Sequence, residues 1–218
     1  EYDYLESSIQ TLNINHYMVI FVTSDTISHV TNIRKINNML HKTKIIEVSE
    51  TEIYQYNRLE ELNTLMKKNI PPYDSKYQIL AVNSRYELVR RAIKLNPFNT
   101  DFYGWIDFGI SHIVDIPENF RVRYTNHEKI RLGWIARKQK KTNTLNFNHK
   151  ALGGGFFVGH KEILKIFIDL HDQEFNKLAN LGYCINDDKL LFLMYEKYPS
   201  LFDVYCSGYA NLANRMNT

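Results

Sequence analysis

The sequence has few of the residues that mark the easily recognised classes of protein. Only two of its 218 residues are cysteines, Cys184 and Cys206, and they lack the spacing of a zinc ligand pair. No run approaches the ~20 apolar residues that span a bilayer, and no apolar leader has a basic flank. The sequence therefore predicts neither a zinc module nor a membrane span, and its sparse cysteines favour the reducing cytoplasm.

Strong charge and common catalytic motifs are also missing. Lysine and arginine number 27 against 24 aspartates and glutamates, a net charge of +3, whereas nucleic-acid-binding domains usually carry a clustered basic excess. No GxGxxG, Walker or HExxH motif occurs, and no GxSxG elbow supports serine hydrolysis. We therefore expect no nucleic-acid partner and no hydrolase of the serine or cysteine type.

The residues that are present predict an α/β protein. Hydrophobic residues make up 44% and aromatic residues 13% of the chain, which is enough for a sizeable core. Predicted strands cover 17–23, 44–48, 102–108, 129–136, 153–159 and 202–205. Predicted helices cover 28–40, 58–68, 77–95, 161–181 and 189–197. The alternation predicts one domain over residues 1–218, with an open, mostly parallel central sheet flanked by helices.

Asp107 is the most informative candidate site residue. It directly follows an apolar strand, and open α/β folds bind ligands at the carboxyl edge of the sheet. We expect the carboxylate at the end of a central strand, exposed in the main cleft, while Gly109 lets a ligand approach the backbone. Mg²⁺ or Mn²⁺ held there would neutralise a diphosphate. The alternative is that Asp107 only caps a turn.

Two further features carry open alternatives. Arg85, on the helix before that strand, could grip phosphate oxygens with its two-pronged guanidinium, or it could belong to a solvated helix face. The run Gly153–Gly155 precedes an apolar strand, where Gly154 and Gly155 could leave room for a sugar ring against bare backbone. A flexible loop end is the alternative for the glycines.

Asn186, Asp187 and Asp188 stand between two predicted helices. Either aspartate is well placed as a helix N-cap, and adjacent carboxylates at a helix start also suit a base or a hydroxyl-gripping acceptor. One aspartate could cap the helix while the other acts in catalysis, so the two roles do not exclude each other. His160 is interpreted as a structural or supporting residue.

The basic stretch 137–141 carries four cations in five residues. Such charges repel one another unless an anion lies between them. This stretch is a candidate for a lid that orders on a diphosphate donor or an acidic glycan, and a solvated surface loop is the alternative.

Read in order, several segments resemble the bacterial HtrL/YibB–WlaTC family of glycosyltransferases. The resemblance is carried by Asn-Ser-Arg-Tyr at 83–86, Asn-Pro-Phe at 96–98, Trp-Ile-Asp-Phe-Gly at 105–109, the glycine strand 153–159 and the paired aspartates. It covers about residue 17 to the end of the chain. The family begins with a further strand ahead of residue 17, and a chain without that strand would also lack part of the nucleotide base pocket.

A more distant similarity to glycogenin-like transferases implies a GT-A-like fold and roles for these residues. Arg85 would contact donor phosphate or sugar, and Asp107 would hold the metal. Gly154 and Gly155 would border the donor sugar and the acceptor, and Asp188 would address the reacting sugar or the acceptor hydroxyl. Two departures weaken the implied metal site: Gly109 replaces the second aspartate of Asp-x-Asp, and no histidine stands near 205–209.

The expected function is transfer of a sugar from a nucleoside-diphosphate sugar to a hydroxyl of a glycan or glycolipid acceptor, assisted by Mn²⁺ or Mg²⁺. Contact with a membrane surface stays open. One alternative is a catalytically degenerate fold that binds a sugar nucleotide or glycan. A nucleotidyltransferase would need a glycine-rich basic loop after the first strand, which 23–26 does not supply, and a pure interaction module would use the basic stretch.

Overall fold

Two sheets are formed by the residues that the structure describes, which are 4–67, 76–117, 119–134 and 152–206 of a computed structural model. The smaller sheet pairs β1 (Met18–Val22) with β2 (Thr43–Glu47) in parallel. The larger sheet contains β3 (Phe102–Ile106), β4 (Ile130–Trp134), β5 (Leu152–His160) and β6 (Phe202–Cys206), in the order β3-β5-β4-β6. All six strands lie within one or two residues of the predicted bounds where the structure describes them.

The sheet directions differ from the prediction. β5 runs antiparallel to both β3 and β4, and only β4 and β6 pair in parallel within the larger sheet. The mixed α/β class is confirmed, and the expectation of a mostly parallel sheet is wrong. The reason is that a continuous apolar run marks any strand buried on both faces, whatever its direction.

The helices are α1 (Tyr4–Leu12), α2 (Ile27–Ile36), α3 (Tyr54–Asn57), α4 (Leu59–Leu65), α5 (Lys76–Leu95), α6 (Lys161–Asn180) and α7 (Asp187–Lys197). α5 ends as the sequence predicts. Asn96 takes the left-handed conformation, with φ of 38°, in which asparagine often ends a helix, and Pro97 cannot continue it. No helix of the described ranges is long and apolar enough to cross a membrane.

The main core lies where α5, α6 and α7 pack against the four-stranded sheet. Tyr86 of α5 stacks on Phe157 of β5 at 5.7 Å between ring centroids, and meets Phe167 of α6 edge-on at 5.5 Å. All three rings are almost fully buried. Such burial contributes about 2–3 kcal/mol for each large side chain, and it fixes the faces of α5 and α6 that pack against each other and against β5.

β3 faces β1 across a cavity of about 430 Å³. The cavity wall is mostly apolar and includes Ile20 and Phe21 from β1 and Trp105 and Ile106 from β3. Within the described residues no backbone hydrogen bond joins the two strands. The two sheets therefore meet through side chains along this line rather than as one continuous sheet.

Helix α1 precedes β1, where the family resemblance implied a strand. Its inward face includes the buried polar residues Ser8 and Thr11 beside Leu12. Hydrophobic periodicity is the main sequence signal for a helix, and polar residues on the buried face blur it. This helix was not predicted.

Candidate functional site

Four side chains from distant parts of the sequence meet on the glycine backbone of β5. Arg85 comes from the middle of α5, Asp107 follows β3 directly, and Asp187 and Asp188 begin α7. Arg85 Nη1 lies 2.9 Å from Asp187 Oδ2, and its Nη2 lies 3.5 Å from Asp107 Oδ2. The backbone N–H of Gly154 donates to Asp188 Oδ1 at 3.4 Å. The structure thus brings together most of the residues singled out from the sequence.

The glycines leave room for the chain's own side chains. A Cβ built on Gly154 would lie 1.9 Å from Asp187 Oδ2 and 2.9 Å from Arg85 Nη1, and one built on Gly155 would lie 2.7 Å from Asp107 Oδ2. Real Cβ contacts do not reach these distances. Arg85 and the two aspartates therefore lie directly against the glycines, and the expectation that Gly154 and Gly155 border a sugar stays a prediction.

Arg85 is a buried counter-ion rather than an exposed phosphate gripper. Its side chain is 6% exposed, and its guanidinium is within ion-pair distance of Asp107 and Asp187. Burial alone lowers the pKa of Arg85, but the charges of Asp107 and Asp187 outweigh it, so the pKa is raised overall. The expected direct contact with donor phosphate does not fit this position, because both ends of the guanidinium face carboxylates.

Asp107 lies at the carboxyl end of β3, as predicted, with a side chain that is 38% exposed. Its backbone N–H donates to the carbonyl of Gly155 at 2.9 Å, which extends the β3–β5 pairing by one residue. β3 is an edge strand of the four-stranded sheet in the described residues, so the expected central position is wrong. The cavity between the sheets is lined by Trp105 and Phe108 but not by Asp107.

Neither aspartate of the 187–188 pair caps α7. Asn186 does so, because its side chain accepts the N–H of Lys189 at 3.4 Å. The helix therefore starts at Asp187, two residues before the predicted start, and both aspartates lie in its first turn. There the positive end of the helix dipole stabilises negative charge, and neither carboxylate is used as the cap.

Asp187 and Asp188 differ in exposure. Asp187 is 5% exposed, and burial raises its pKa to about 7; Arg85 opposes this shift, while Asp188 and Asp107 add to it. Asp188 is half-buried. The first turn of α7 thus carries one buried carboxyl, whose pKa is raised to about 7, beside a more exposed one.

Gly109 and His160 contact parts of the chain that account for these residue types at their positions. A Cβ on Gly109 would lie 2.7 Å from the ring of Tyr4 in α1, so α1 packs against this glycine. His160 caps α6 by accepting the N–H of Glu162 at 3.3 Å, which confirms its structural role. The basic stretch 137–141 lies outside the described residues.

Trp105 was missed as a site residue. Its indole N–H donates to Asp107 Oδ1 at 2.6 Å. Side chains two residues apart in a strand point to the same face. The spacing of Trp105 and Asp107 therefore indicates that their side chains can meet.

The carboxylates fit a divalent cation that takes most of its ligands from a bound phosphate group and from water. The described ranges contain no ready-made group of three or more histidine, cysteine or acidic side chains around one point. Mg²⁺ and Mn²⁺ sites in nucleotide enzymes often use one or two carboxylates, with phosphate oxygens and water completing an octahedron. Asp107, partly exposed at the strand end, suits such a site.

Comparison with known proteins identifies the family. The sequence profile described as "Bacterial protein of unknown function (HtrL_YibB)" matches residues 1–213. The chain belongs to the HtrL/YibB family. Within that family, Protein HtrL of Escherichia coli (strain K12) is 25% identical to this chain over 213 residues, covering 89% of this chain and 74% of the E. coli protein. No solved structure matches this HtrL/YibB chain.

Proposed function

We propose that this HtrL/YibB chain is a glycosyltransferase with a GT-A-like fold. It moves a sugar from a nucleoside-diphosphate sugar to a hydroxyl of a glycan or glycolipid acceptor. The observation that carries the proposal is the meeting of a partly exposed strand-end carboxylate, Asp107, with the two carboxylates of α7 over bare glycine backbone. This pattern supports cation-assisted donor binding at one side and acceptor activation at the other.

Charge decides how the donor can bind. Three carboxylates against one guanidinium leave two negative charges, or one when Asp187 keeps its proton. Such a site repels a bare diphosphate. Mg²⁺ or Mn²⁺ held by Asp107 would supply the positive charge that neutralises the diphosphate as it leaves. Arg85 then serves to hold Asp107 and Asp187 in place.

The reaction needs a group that orients the acceptor and takes its proton. The acceptor oxygen attacks the anomeric carbon, the bond from that carbon to the diphosphate oxygen breaks, and the hydroxyl proton passes to a carboxylate. Asp188 is half-buried and accepts a hydrogen bond from the N–H of Gly154. It is better placed than Asp187 to take this proton. Asp187, buried beside Arg85, orients the first turn of α7 and tunes the charge around it.

One observation favours a second candidate, a module that binds a sugar nucleotide or glycan without turnover. Arg85 is within ion-pair distance of both Asp107 and Asp187, so these carboxylates share an internal counter-ion. A fold that had lost its reaction would be stable with this arrangement.

Two experiments test both candidate functions. They are titration calorimetry and a transfer assay, each with a panel of sugar nucleotides and each with and without Mn²⁺. We expect Asp107→Ala to abolish donor binding. Asp188→Asn should bind donor normally and lose at least about a hundredfold in turnover, the scale of general acid–base groups. Asp169→Asn is the control, because Asp169 is exposed on α6 and pairs with Arg90.

Equal loss of donor binding in both site variants would mean that the roles are wrongly divided. Donor binding without transfer or hydrolysis by the wild-type chain would support the binding module. Absence of any donor binding would reject both functions.

A further inference from the structure

Trp105 and Asp107 form a fixed pair at the end of β3. The indole N–H and Asp107 Oδ1 are 2.6 Å apart, a short distance for a donor to a carboxylate. Trp105 is itself held in the sheet, since it lies opposite Phe157 of β5. The tryptophan therefore restricts rotation of the carboxylate rather than following it.

The second oxygen of Asp107 has a different environment. Oδ2 lies on the bare backbone of Gly155 and 3.5 Å from Arg85 Nη2, which is longer than a direct hydrogen bond. The carboxylate is thus anchored through Oδ1 and only loosely engaged through Oδ2, while the side chain stays 38% exposed.

We propose that Trp105 is a positioning residue that reserves Oδ1, so that Asp107 offers a cation a single oxygen and selects Mg²⁺ or Mn²⁺ over Ca²⁺. The inference rests on the proposed role of Asp107 as a cation ligand. Its physical basis is coordination: Ca²⁺ takes six to eight oxygens and readily uses both oxygens of one carboxylate, whereas Mg²⁺ keeps a strict octahedron with several waters and single-oxygen ligands. A carboxylate with one oxygen engaged disfavours the larger ion.

Trp105→Phe tests this by removing the indole N–H and keeping an aromatic ring on β3. The matched control is Trp134→Phe on β4, where the indole nitrogen is buried without a hydrogen-bond partner in the described part of the chain and the ring packs on Phe192 and Tyr195. Calorimetric titrations with MnCl₂, MgCl₂ and CaCl₂ alone, without nucleotide, give the three affinities for each protein.

We expect the wild type and Trp134→Phe to bind Mn²⁺ at least about tenfold more tightly than Ca²⁺, and Trp105→Phe to bring the two within about threefold. An unchanged ratio in folded Trp105→Phe would overturn the inference. So would a wild-type chain that binds none of the three ions, or one whose Mn²⁺ binding survives Asp107→Asn.

Fluorescence gives a readout that does not depend on the folding of Trp105→Phe. The chain has two tryptophans, so Trp134→Phe leaves Trp105 as the single emitter. Paramagnetic Mn²⁺ should quench it where equimolar Mg²⁺ does not, and adding Asp107→Asn should remove the quenching. Quenching that persists in the double variant would overturn the inference. The transfer assay described above judges the glycosyltransferase proposal separately.

Discussion

Two buried arginines organise the two parts of the molecule in opposite ways. Arg34, in the two-stranded part, is 0% exposed and lies among neutral oxygens. Its guanidinium donates to the carbonyls of Leu12, Ile14 and His16 at 2.8–3.0 Å and to Thr43 Oγ1 at 2.8 Å. Burial lowers the pKa of Arg34, yet every one of its nitrogens has a partner.

Arg85, in the four-stranded part, has charged neighbours but poorer hydrogen bonding. Its Nε and Nη1 and the facing Asp187 Oδ2 have no hydrogen-bond partner among the described residues, although Nη1 and Oδ2 are 2.9 Å apart. Native proteins seldom leave buried polar atoms in this state, and such atoms often mark functional sites. The two arginines therefore differ in their partners: neutral oxygens satisfy the guanidinium of Arg34, whereas that of Arg85 lies under-satisfied among carboxylates.

The largest expected effect comes from removing each arginine. Arg34→Met should lower the free energy of unfolding by about 4 kcal/mol or more, because the three carbonyls to which Arg34 donates each lose a charge-assisted hydrogen bond, at ~1–3 kcal/mol each. Arg85→Met should cost about 3 kcal/mol by leaving a buried carboxylate without its counter-ion. Urea denaturation followed by circular dichroism measures both.

The two losses should also differ in how they are rescued. Asp187→Asn removes the stranded charge and should restore about half of the loss in Arg85→Met, while no single second change offsets Arg34→Met. A larger loss for Arg85→Met than for Arg34→Met, or no rescue by Asp187→Asn, would remove the distinction between the two regions.

A smaller effect is expected from adding one methyl group to the site. Gly154→Ala should lower stability by about 1–3 kcal/mol, the usual cost of overpacking. Gly155→Ala should cost less, since its added Cβ comes closest to Asp107, whose side chain is partly exposed, and lies in ordinary contact with Ile110 at 3.4 Å. Thermal unfolding of the two variants compares them. Equal stability of both with the wild type would show that Asp187 and Arg85 can move away from β5.

The last expected effect, which needs no change of sequence, is a dependence on pH. The pKa of Asp187 is raised in the folded protein from an ordinary 3.8 to about 7, so between these values the native state binds more protons than the unfolded chain. Its contribution to stability is full below about pH 4 and is lost as the pH rises to about 7. The urea midpoint of the wild type, measured from pH 5 to pH 8, should fall more steeply than that of Asp187→Asn. Parallel curves would place the Asp187 pKa near its ordinary value.

The sequence allowed the strands, the long helices and the members of the site to be predicted from local signals. An apolar run that stops at Asp107 locates a strand end, and Asn96–Pro97 ends α5 because proline breaks a helix. The family resemblance added which distant segments belong together. These signals are local in sequence or shared across a family, so they do not depend on the packing of this chain.

What could not be predicted depends on contacts across the fold. That Gly154 receives Asp187, and that Gly109 receives Tyr4, requires knowing which side chain arrives at each glycine. The sequence alone could not identify the cap of α7, because Asn186, Asp187 and Asp188 all have favourable capping side chains. The structure assigns the cap to Asn186. The antiparallel direction of β5 follows from chain topology, which the apolar pattern does not encode.

The bare backbone at Gly154 also constrains how the gene can change. No amino acid is smaller than glycine, so every missense substitution at this codon adds at least a Cβ where Asp187 Oδ2 already lies 1.9 Å away. A larger residue at position 154 would be tolerated only after a substitution that shortens the side chain at position 187. We therefore expect the two positions, 33 apart in the chain by their numbers, to change together.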